Sequence, residues 1–140
     1  LEITESLLMQ APERAKTALA RCRDQGISVS IDDFGSGYSS LSYLHAFPID
    51  TLKIDQSFIR SMRSNAQSLV LVKSIIGLAR NLNMKIIAEG IETREEARVV
   101  RDLGCHECQG FWFAKPMPLE DAIAFAQNWQ PPSLWDDAGF

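Results

Sequence analysis

Residues 27–37 read ISVSIDDFGSG and show how the chain is organised. The segment 27–31 alternates polar and β-branched residues, which predicts a β-strand. Two aspartates, Asp32 and Asp33, follow it, and the glycines after them allow the chain to turn tightly away. We therefore predict a strand that ends in an acidic, Gly-rich loop over residues 32–40.

A strand, a loop and a helix alternate about five times along the chain. Further strands are predicted at residues 1–4, 51–54, 84–88 and 106–113. Helices are predicted at residues 12–24, 41–46, 67–82, 93–103 and 119–128. Thr93 and Glu96 have the spacing of a capping box at the start of the helix 93–103. Strands that alternate with helices in this way indicate a parallel sheet covered by helices.

Two architectures fit this pattern, a doubly wound sheet and a (β/α)8 barrel. Polar residues lie in or at the end of every predicted strand: Glu2, Asp32, Asp33, Lys53, Glu89 and Gln109. Barrel enzymes take catalytic residues from several strand ends at one face, whereas a doubly wound sheet binds its ligand at one switch point. We therefore predict an α/β fold, a partial (β/α)8 TIM-type barrel of about five β/α units. Residues 1–130 would form this part, residues 131–140 a tail, and about three strands would precede Leu1.

The composition is that of a globular protein, and it narrows the functional classes. The chain has 140 residues, 46% hydrophobic and 23% charged, with a formal net charge of −4. A negative charge argues against binding nucleic acid polymers through phosphate attraction. No apolar run approaches the roughly 20 residues of a membrane span, so we predict no membrane contact in this segment. The three cysteines indicate reduced thiols, and Cys105 and Cys108 are predicted to be small buried side chains.

Carboxylates and one lysine carry the chemical signal. Adjacent carboxylates such as Asp32 and Asp33 repel each other unless a cation lies beside them, although a solvated acidic turn remains an alternative. Glu89 ends an apolar strand, where a carboxylate is costly unless it is paired or binds a metal. Lys53 lies between Leu52 and Ile54, so it either reaches solvent or serves as a charge partner or proton-handling group.

The donor types of these residues favour a particular class of metal. Oxygen ligands without histidine or cysteine suit Mg²⁺ or Mn²⁺. Several carboxylates beside a lysine are typical of metal-assisted phosphoester chemistry. From the residues alone we predict a metal-dependent barrel enzyme that acts on a phosphoester or forms an enolate.

An ordered set of motifs resembles the EAL domain family of cyclic di-GMP phosphodiesterases up to about residue 118. The motifs are LEITES (1–6), DDFGSGYSSL (32–41), LKID (52–55), AEGIET (88–93), and QG (109–110) with KP (115–116). The resemblance implies a (β/α)8-type barrel with one antiparallel strand. It also implies hydrolysis of cyclic di-GMP to linear pGpG, a reaction of bacterial second-messenger signalling and biofilm control. Two Mg²⁺ or Mn²⁺ ions would be required.

The resemblance assigns four metal ligands within the chain. Glu2 would bind metal, Asp32 would bridge the two ions, Asp33 would bind the second ion, and Glu89 would bind metal or its water. Two further ligands of the family, the glutamate of the Glu-Ala-Leu signature and an asparagine, would lie upstream of Leu1. We therefore expect this chain to be the carboxy-terminal part of an EAL domain. Alone it would hydrolyse cyclic di-GMP very slowly or not at all.

The resemblance also assigns catalytic and supporting roles. Lys53 would hold or polarise the attacking water, Glu89 would act beside it, and Gln109 would hydrogen-bond that water. Glu5 would stabilise the loop 33–40, which the family uses in metal binding and dimerisation. Ser36 stands where the family often has threonine, and it keeps the hydroxyl group.

Alternative functions remain at this point. The parent domain could be a catalytically inactive cyclic di-GMP receptor or regulatory domain, and an enolate-forming enzyme accounts for the acid–lysine pattern but not for the ordered motifs. The resemblance allows a homodimer and upstream sensory or diguanylate-cyclase domains. It places the domain in the bacterial cytoplasm, with membrane anchorage only through upstream segments.

Overall fold

The computed structural model describes residues 1–35 and 44–130. Five strands in this part form one sheet, in the order in which they occur along the chain. The strands are β1 (Glu2–Thr4), β2 (Ser30–Phe34), β3 (Thr51–Ile54), β4 (Lys85–Ala88) and β5 (Glu107–Cys108). All four neighbouring pairs are parallel. The antiparallel strand that the resemblance implies is not among these five.

Six helices connect or follow the strands in the described part of the chain. They are α1 (Glu5–Gln10), α2 (Pro12–Asp24), α3 (Gln56–Ser61), α4 (Ala66–Asn81), α5 (Arg94–Asp102) and α6 (Leu119–Asn128). The predicted capping box is confirmed, because Thr93 Oγ1 accepts from the Glu96 amide and Glu96 Oε2 accepts from the Thr93 amide. Asn65 caps α4 by accepting hydrogen bonds from the amides of Gln67 and Ser68. These local hydrogen bonds fix where α4 and α5 begin.

The core lies between the sheet and the helices that cover it. Ile31, Leu52 and Ile86 are fully buried in adjacent central strands. From α4, Val72 and Ala79 are equally buried and belong to the same apolar cluster. Among the described residues, no helix is long and apolar enough to cross a membrane.

The second strand differs from its prediction. It was predicted at 27–31 with Asp32 and Asp33 in the following loop, whereas β2 spans Ser30–Phe34 and includes both aspartates. Residues 27–29 lie before the ladder, where the Val29 amide donates to Asp50 Oδ2 at 2.8 Å. The register shifts between Ile31 and Phe34, and Asp33 has φ of 54°, so the strand is bulged at Asp33.

Other elements also depart from their predictions. The strand predicted at 106–113 is wrong beyond residue 108, because the chain turns at Gly110, whose carbonyl accepts from the Phe113 amide at 3.1 Å. The short helices α1 and α3 were not predicted, since six residues are too few for a hydrophobic period. Half of the predicted helix 41–46, residues 41–43, and the whole tail 131–140 lie outside the described residues.

The prediction of two buried, reduced cysteines is confirmed for Cys105. Cys108 is only half-buried, and neither cysteine is in a disulfide. The Cys105 thiol lies 3.2 Å from the Glu107 carbonyl oxygen and 3.5 Å from that of Ile86, as expected for a weak donor. Both cysteines therefore serve the packing around β5.

Two glycines provide a matched test of this packing. A Cβ atom on Gly110 would overlap the backbone of Ile91, whereas one on Gly77, within α4, would meet no atom within 4 Å. Gly110→Ala should therefore lower the free energy of unfolding by about 1–3 kcal/mol, because backbone must shift. Gly77→Ala should raise it by about 0.5–1 kcal/mol, because alanine favours a helix. Urea unfolding of both variants checks this, and a stable Gly110→Ala protein would contradict the close approach.

Candidate active site

The parallel sheet brings predicted site residues from its five strands toward one region. Glu2 belongs to β1, Asp32 to β2 and Lys53 to β3. Glu89 directly follows β4 and Gln109 directly follows β5. Because parallel strands all end at the same edge, the last residues of β2, β3 and β4 pair with one another and align the site.

Lys53 is the centre of this group. Its Nζ atom lies 2.8 Å from Glu89 Oε1, 3.0 Å from Glu2 Oε1 and 3.2 Å from Asp32 Oδ1. The lysine side chain is only 8% exposed, so its charge is removed from water and needs these partners.

The pKa of Lys53 reflects the balance between burial and these partners. Burial lowers the pKa, but hydrogen bonds to Glu89, Glu2 and Asp32 outweigh it, and the net result is a raised pKa. Lys53 is therefore an ammonium ion that links carboxylates from three separate segments.

Three of the four predicted metal ligands form a compact carboxylate group. Oxygen atoms of Asp32, Asp33 and Glu89 all lie within 4.8 Å of one another. Glu2, the fourth predicted ligand, is not part of this group. Its Oε1 atom contacts the Lys53 ammonium group, which also contacts Asp32 and Glu89. Such hard oxygen donors match the ligand preference of Mg²⁺ and Mn²⁺.

Asp33 owes its position to the bulge in β2. Its amide donates to the Asp32 carboxylate at 3.1 Å. Partial desolvation raises the pKa of Asp33 although the side chain is largely exposed, and repulsion from Asp32 and Asp55 raises it further. Asp55 also caps α3, since its Oδ1 accepts from the Ser57 amide at 2.7 Å. Asp55 is the last residue of the LKID motif, and the motif alone predicts no role for it.

Glu5 connects the start of α1 to the end of β2. Its carboxylate is buried, with 4% of the residue exposed, and Oε2 accepts a hydrogen bond from the Gly35 amide at 3.1 Å. Gly35 has φ of 97°, a conformation that favours glycine. Glu5 thus contacts the first residue after β2, and the loop that it is predicted to stabilise continues into residues outside the described part.

A cleft of about 240 Å³ adjoins Glu89. Its lining residues are Gln56, Arg60, Glu89, Gly90, Glu92, Gln109, Gly110 and Phe111. Gln109 is held there by its backbone, which donates to the Ala88 carbonyl at 2.9 Å and accepts from the Ile91 amide at 3.0 Å. The predicted catalytic residues Glu89 and Gln109 therefore share one cleft.

Sequence reasoning missed the other polar and aromatic residues of this cleft. Arg60 and Gln56 lie on the unpredicted helix α3, and Phe111 lies where a strand was expected. Glu92 belongs to the quoted AEGIET motif, so only this residue carried a signal. Two larger cavities, of about 730 and 650 Å³, are lined by other residues near α2 and α6.

Comparison with known proteins gives a consistent result. The family model of the EAL domain matches residues 1–116. The cyclic di-GMP phosphodiesterase PdeR of Escherichia coli is 44% identical over 129 residues, which cover 92% of this chain and 19% of the relative. The chain spans only 15–19% of the length of the curated relatives that it matches.

Solved structures show the same similarity. The PaMucR phosphodiesterase in complex with c-di-GMP has a TM-score of 0.85 and 42% identity, covering 87% of this chain and 49% of that one. Klebsiella pneumoniae BlrP1 in a manganese and cy-diGMP complex has a TM-score of 0.76 and 33% identity, covering 82% of this chain and 29% of that one. Together with the parallel five-stranded sheet, these matches confirm the predicted partial barrel.

Removing the central ammonium group tests the electrostatic arrangement. Lys53→Gln leaves the carboxylates of Glu2, Asp32 and Glu89 without their cation. The substitution should therefore lower the free energy of unfolding by roughly 3 kcal/mol. This is the lower end of the loss expected when a buried ion pair is broken, because the Glu2 side chain is 60% exposed and can be solvated. Chemical denaturation in metal-free buffer measures this.

Lys85→Gln is the matched control for Lys53→Gln. Lys85 lies 3.9 Å from Glu107, and its side chain is 69% exposed. An exposed pair of this kind contributes at most about 1 kcal/mol, so the control should lose little stability. Equal losses of stability in the two variants would show that Lys53 does not stabilise the three carboxylates.

Proposed function

The chain belongs to the EAL domain family, and from this premise we propose that its parent domain hydrolyses cyclic di-GMP to linear pGpG. The observation that carries the proposal is the contact of Lys53 with Asp32 and Glu89 near the carboxyl edge of the sheet, and with Glu2 from the start of β1. Barrel enzymes place their chemistry at this edge. Relatives named cyclic di-GMP phosphodiesterases support the choice of substrate.

The carboxylates fit a site for two Mg²⁺ or Mn²⁺ ions. Asp32, Asp33 and Glu89 offer clustered oxygen donors, and Glu2 lies across Lys53 from them. We propose that these four residues would hold the ions within the chain. When bound, such ions activate water and neutralise the charge that develops on a phosphoryl group.

The chain's own residues would orient water and substrate. The three donors of the Lys53 ammonium group face Glu89, Glu2 and Asp32, so Lys53 would release at least one of these carboxylates when it holds the attacking water in line with the phosphodiester. Gln109, in the same cleft as Glu89, would donate a hydrogen bond to that water from its side-chain amide. Glu5 would keep the end of β2, and with it Asp33, in position through Gly35.

The alternative is a receptor that binds cyclic di-GMP without cleaving it. Every metal-ligand and catalytic position that the resemblance assigns within the chain has the expected residue, which favours the enzyme. We also propose that residues 1–130 belong to one EAL domain in the bacterial cytoplasm. A homodimer, and upstream sensory or diguanylate-cyclase domains, are part of the same proposal.

Asp32→Asn tests the catalytic proposal. The assay follows pGpG release from cyclic di-GMP with Mn²⁺ or Mg²⁺, in a protein extended upstream by about three strands to complete eight. The substitution should lower the rate by at least roughly 10³-fold, because several kcal/mol of charge stabilisation is lost. Asp24→Asn, on the exposed end of α2, is the control and should keep full activity. Binding of cyclic di-GMP without pGpG release by the unsubstituted protein would identify a receptor.

The length of the chain gives a second comparison. In the same assay the 140-residue chain should turn over very slowly or not at all, because two family ligands would be supplied by upstream strands. Normal turnover by the 140-residue chain would show that residues 1–140 hold a complete site.

A further inference from the structure

The chain contains a pair of cysteines whose chemistry the proposed hydrolysis does not use. Cys105 lies in the connection between α5 and β5, and Cys108 is the last residue of β5. In a regular strand, side chains three residues apart point to opposite faces. Here the chain bends at His106, and both cysteines line one cavity of about 650 Å³ beside α6. The bend therefore brings the two cysteines to the same space.

The two thiols also interact with each other. A hydrogen bond between them lowers the pKa of Cys105 and raises the pKa of Cys108, and it is the largest cause of both shifts. Burial raises the pKa of both thiols, whereas a backbone hydrogen bond at Glu107 lowers the pKa of Cys105 further. Cys105 is therefore the thiol that loses its proton first, and the thiolate is the nucleophilic form of cysteine.

A structural metal does not explain the pair. A zinc site of that kind needs four ligands in a tetrahedral arrangement. In the described part of the chain, possible metal ligands cluster in threes only at Asp32, Asp33 and Glu89. Two neighbouring thiols without further ligands have instead the composition of a redox dithiol, and the C-x-x-C spacing is the one that disulfide oxidoreductases use.

The pair is connected to the candidate active site through β5. This strand has only two residues, and the second, Cys108, pairs with Ala88. The next residue, Gln109, donates its amide to the Ala88 carbonyl at 2.9 Å. Cys105 is buried and anchored, because its amide donates to the Val100 carbonyl at 3.0 Å. A bond between the two sulfur atoms would therefore pull on Cys108 and on the Gln109 that follows it.

We propose that Cys105 and Cys108 form a peroxide-sensitive dithiol, and that its oxidation to a disulfide displaces Gln109 and slows hydrolysis. The effect on hydrolysis rests on the proposed function, whereas the formation of the disulfide does not. In a reducing compartment such a disulfide is transient and redox-sensing rather than structural. The reduced pair is then the active state, and oxidation lowers activity reversibly.

The reaction consumes one peroxide molecule, which is small enough to enter the cavity. The Cys105 thiolate attacks one peroxide oxygen and the O–O bond breaks. The second oxygen takes up the proton lost by Cys105 and leaves as water, or as an alcohol from an organic peroxide. The Cys108 sulfur then attacks the resulting sulfenic acid on Cys105, and the hydroxyl group leaves as water with the Cys108 proton. Two electrons pass from the two sulfurs to the peroxide, and a small-molecule dithiol restores both thiols by exchange.

The test treats the upstream-extended protein with hydrogen peroxide in metal-free buffer and removes the excess with catalase. After alkylation of free thiols, peptide mass spectrometry should find Cys105 and Cys108 joined, with the loss of two hydrogen atoms. The rate of pGpG release, measured with Mn²⁺, should fall at least about ten-fold, because a displacement of about 1 Å in a positioning group can cost roughly 100-fold. Dithiothreitol should restore the rate.

Cys108→Ser and Cys22→Ser are the matched variants. Cys22 lies on α2 and is half-buried like Cys108, but it does not line the cavity. Before oxidation, both variants should hydrolyse cyclic di-GMP at the rate of the unsubstituted protein. After peroxide, Cys108→Ser should keep its rate, because no bond can pull on Gln109. Cys22→Ser should lose activity as the unsubstituted protein does.

The outcomes separate the dithiol from the proposed function. Free thiols at both positions after peroxide, or a disulfide that includes Cys22, would overturn the dithiol. A disulfide between Cys105 and Cys108 with an unchanged rate, or an equal loss of rate in Cys108→Ser, would overturn the effect on Gln109. If the reduced protein neither binds nor hydrolyses cyclic di-GMP, the proposed function and the effect on hydrolysis fail together, while the mass measurement still decides whether the disulfide forms.

Discussion

The burial of one charged amine organises this structure. Lys53 lies in β3, where its neighbours Leu52 and Ile54 are fully buried, and its ammonium group is almost entirely removed from water. That position is stable only if acceptors surround the charge, and the neighbouring segments supply them through Glu2, Asp32 and Glu89. The parallel register brings these carboxylates together, so the sheet and the site depend on each other.

Local departures from regular sheet geometry position the residues of the site. The bulge in β2 places Asp33 next to Asp32, and Glu5 holds the following residue through the Gly35 amide. Gly110 lets the chain after β5 pass directly against Ile91. This close approach forms one side of the cleft next to Glu89. The same edge of the sheet therefore holds a carboxylate group suited to phosphoryl chemistry and, next to it, the cleft that Glu89 and Gln109 share.

Much of this arrangement could be predicted from the sequence. Hydrophobic periodicity over ten or more residues predicts α2 and α6 with their true bounds, and the capping box predicts where α5 begins to within one residue. The polar residues at strand ends indicated which edge carries the chemistry. The sequence predicts that Lys53 can have a charge partner, but it does not show which carboxylate. The pairing depends on the register of the strands in the sheet.

Other features had no usable signal. Because of the bulge, β2 continues through Asp32 and Asp33. The positive φ at Asp33 depends on tertiary structure, because aspartate tolerates this conformation but does not require it. The helix α3 was too short to predict, so the position of Arg60 opposite Glu92 could not be predicted either. The ordered motifs gave the family, but the cleft beside them emerged only from the packing of three segments.

A crystal structure of the upstream-extended protein with cyclic di-GMP and Mn²⁺, with anomalous scattering to locate manganese, tests this site most directly. We expect manganese peaks next to Asp32, Asp33 and Glu89, with the phosphodiester beside them. Manganese or dinucleotide bound elsewhere, with Lys53 still paired to its three carboxylates, would show that these residues do not form the active site.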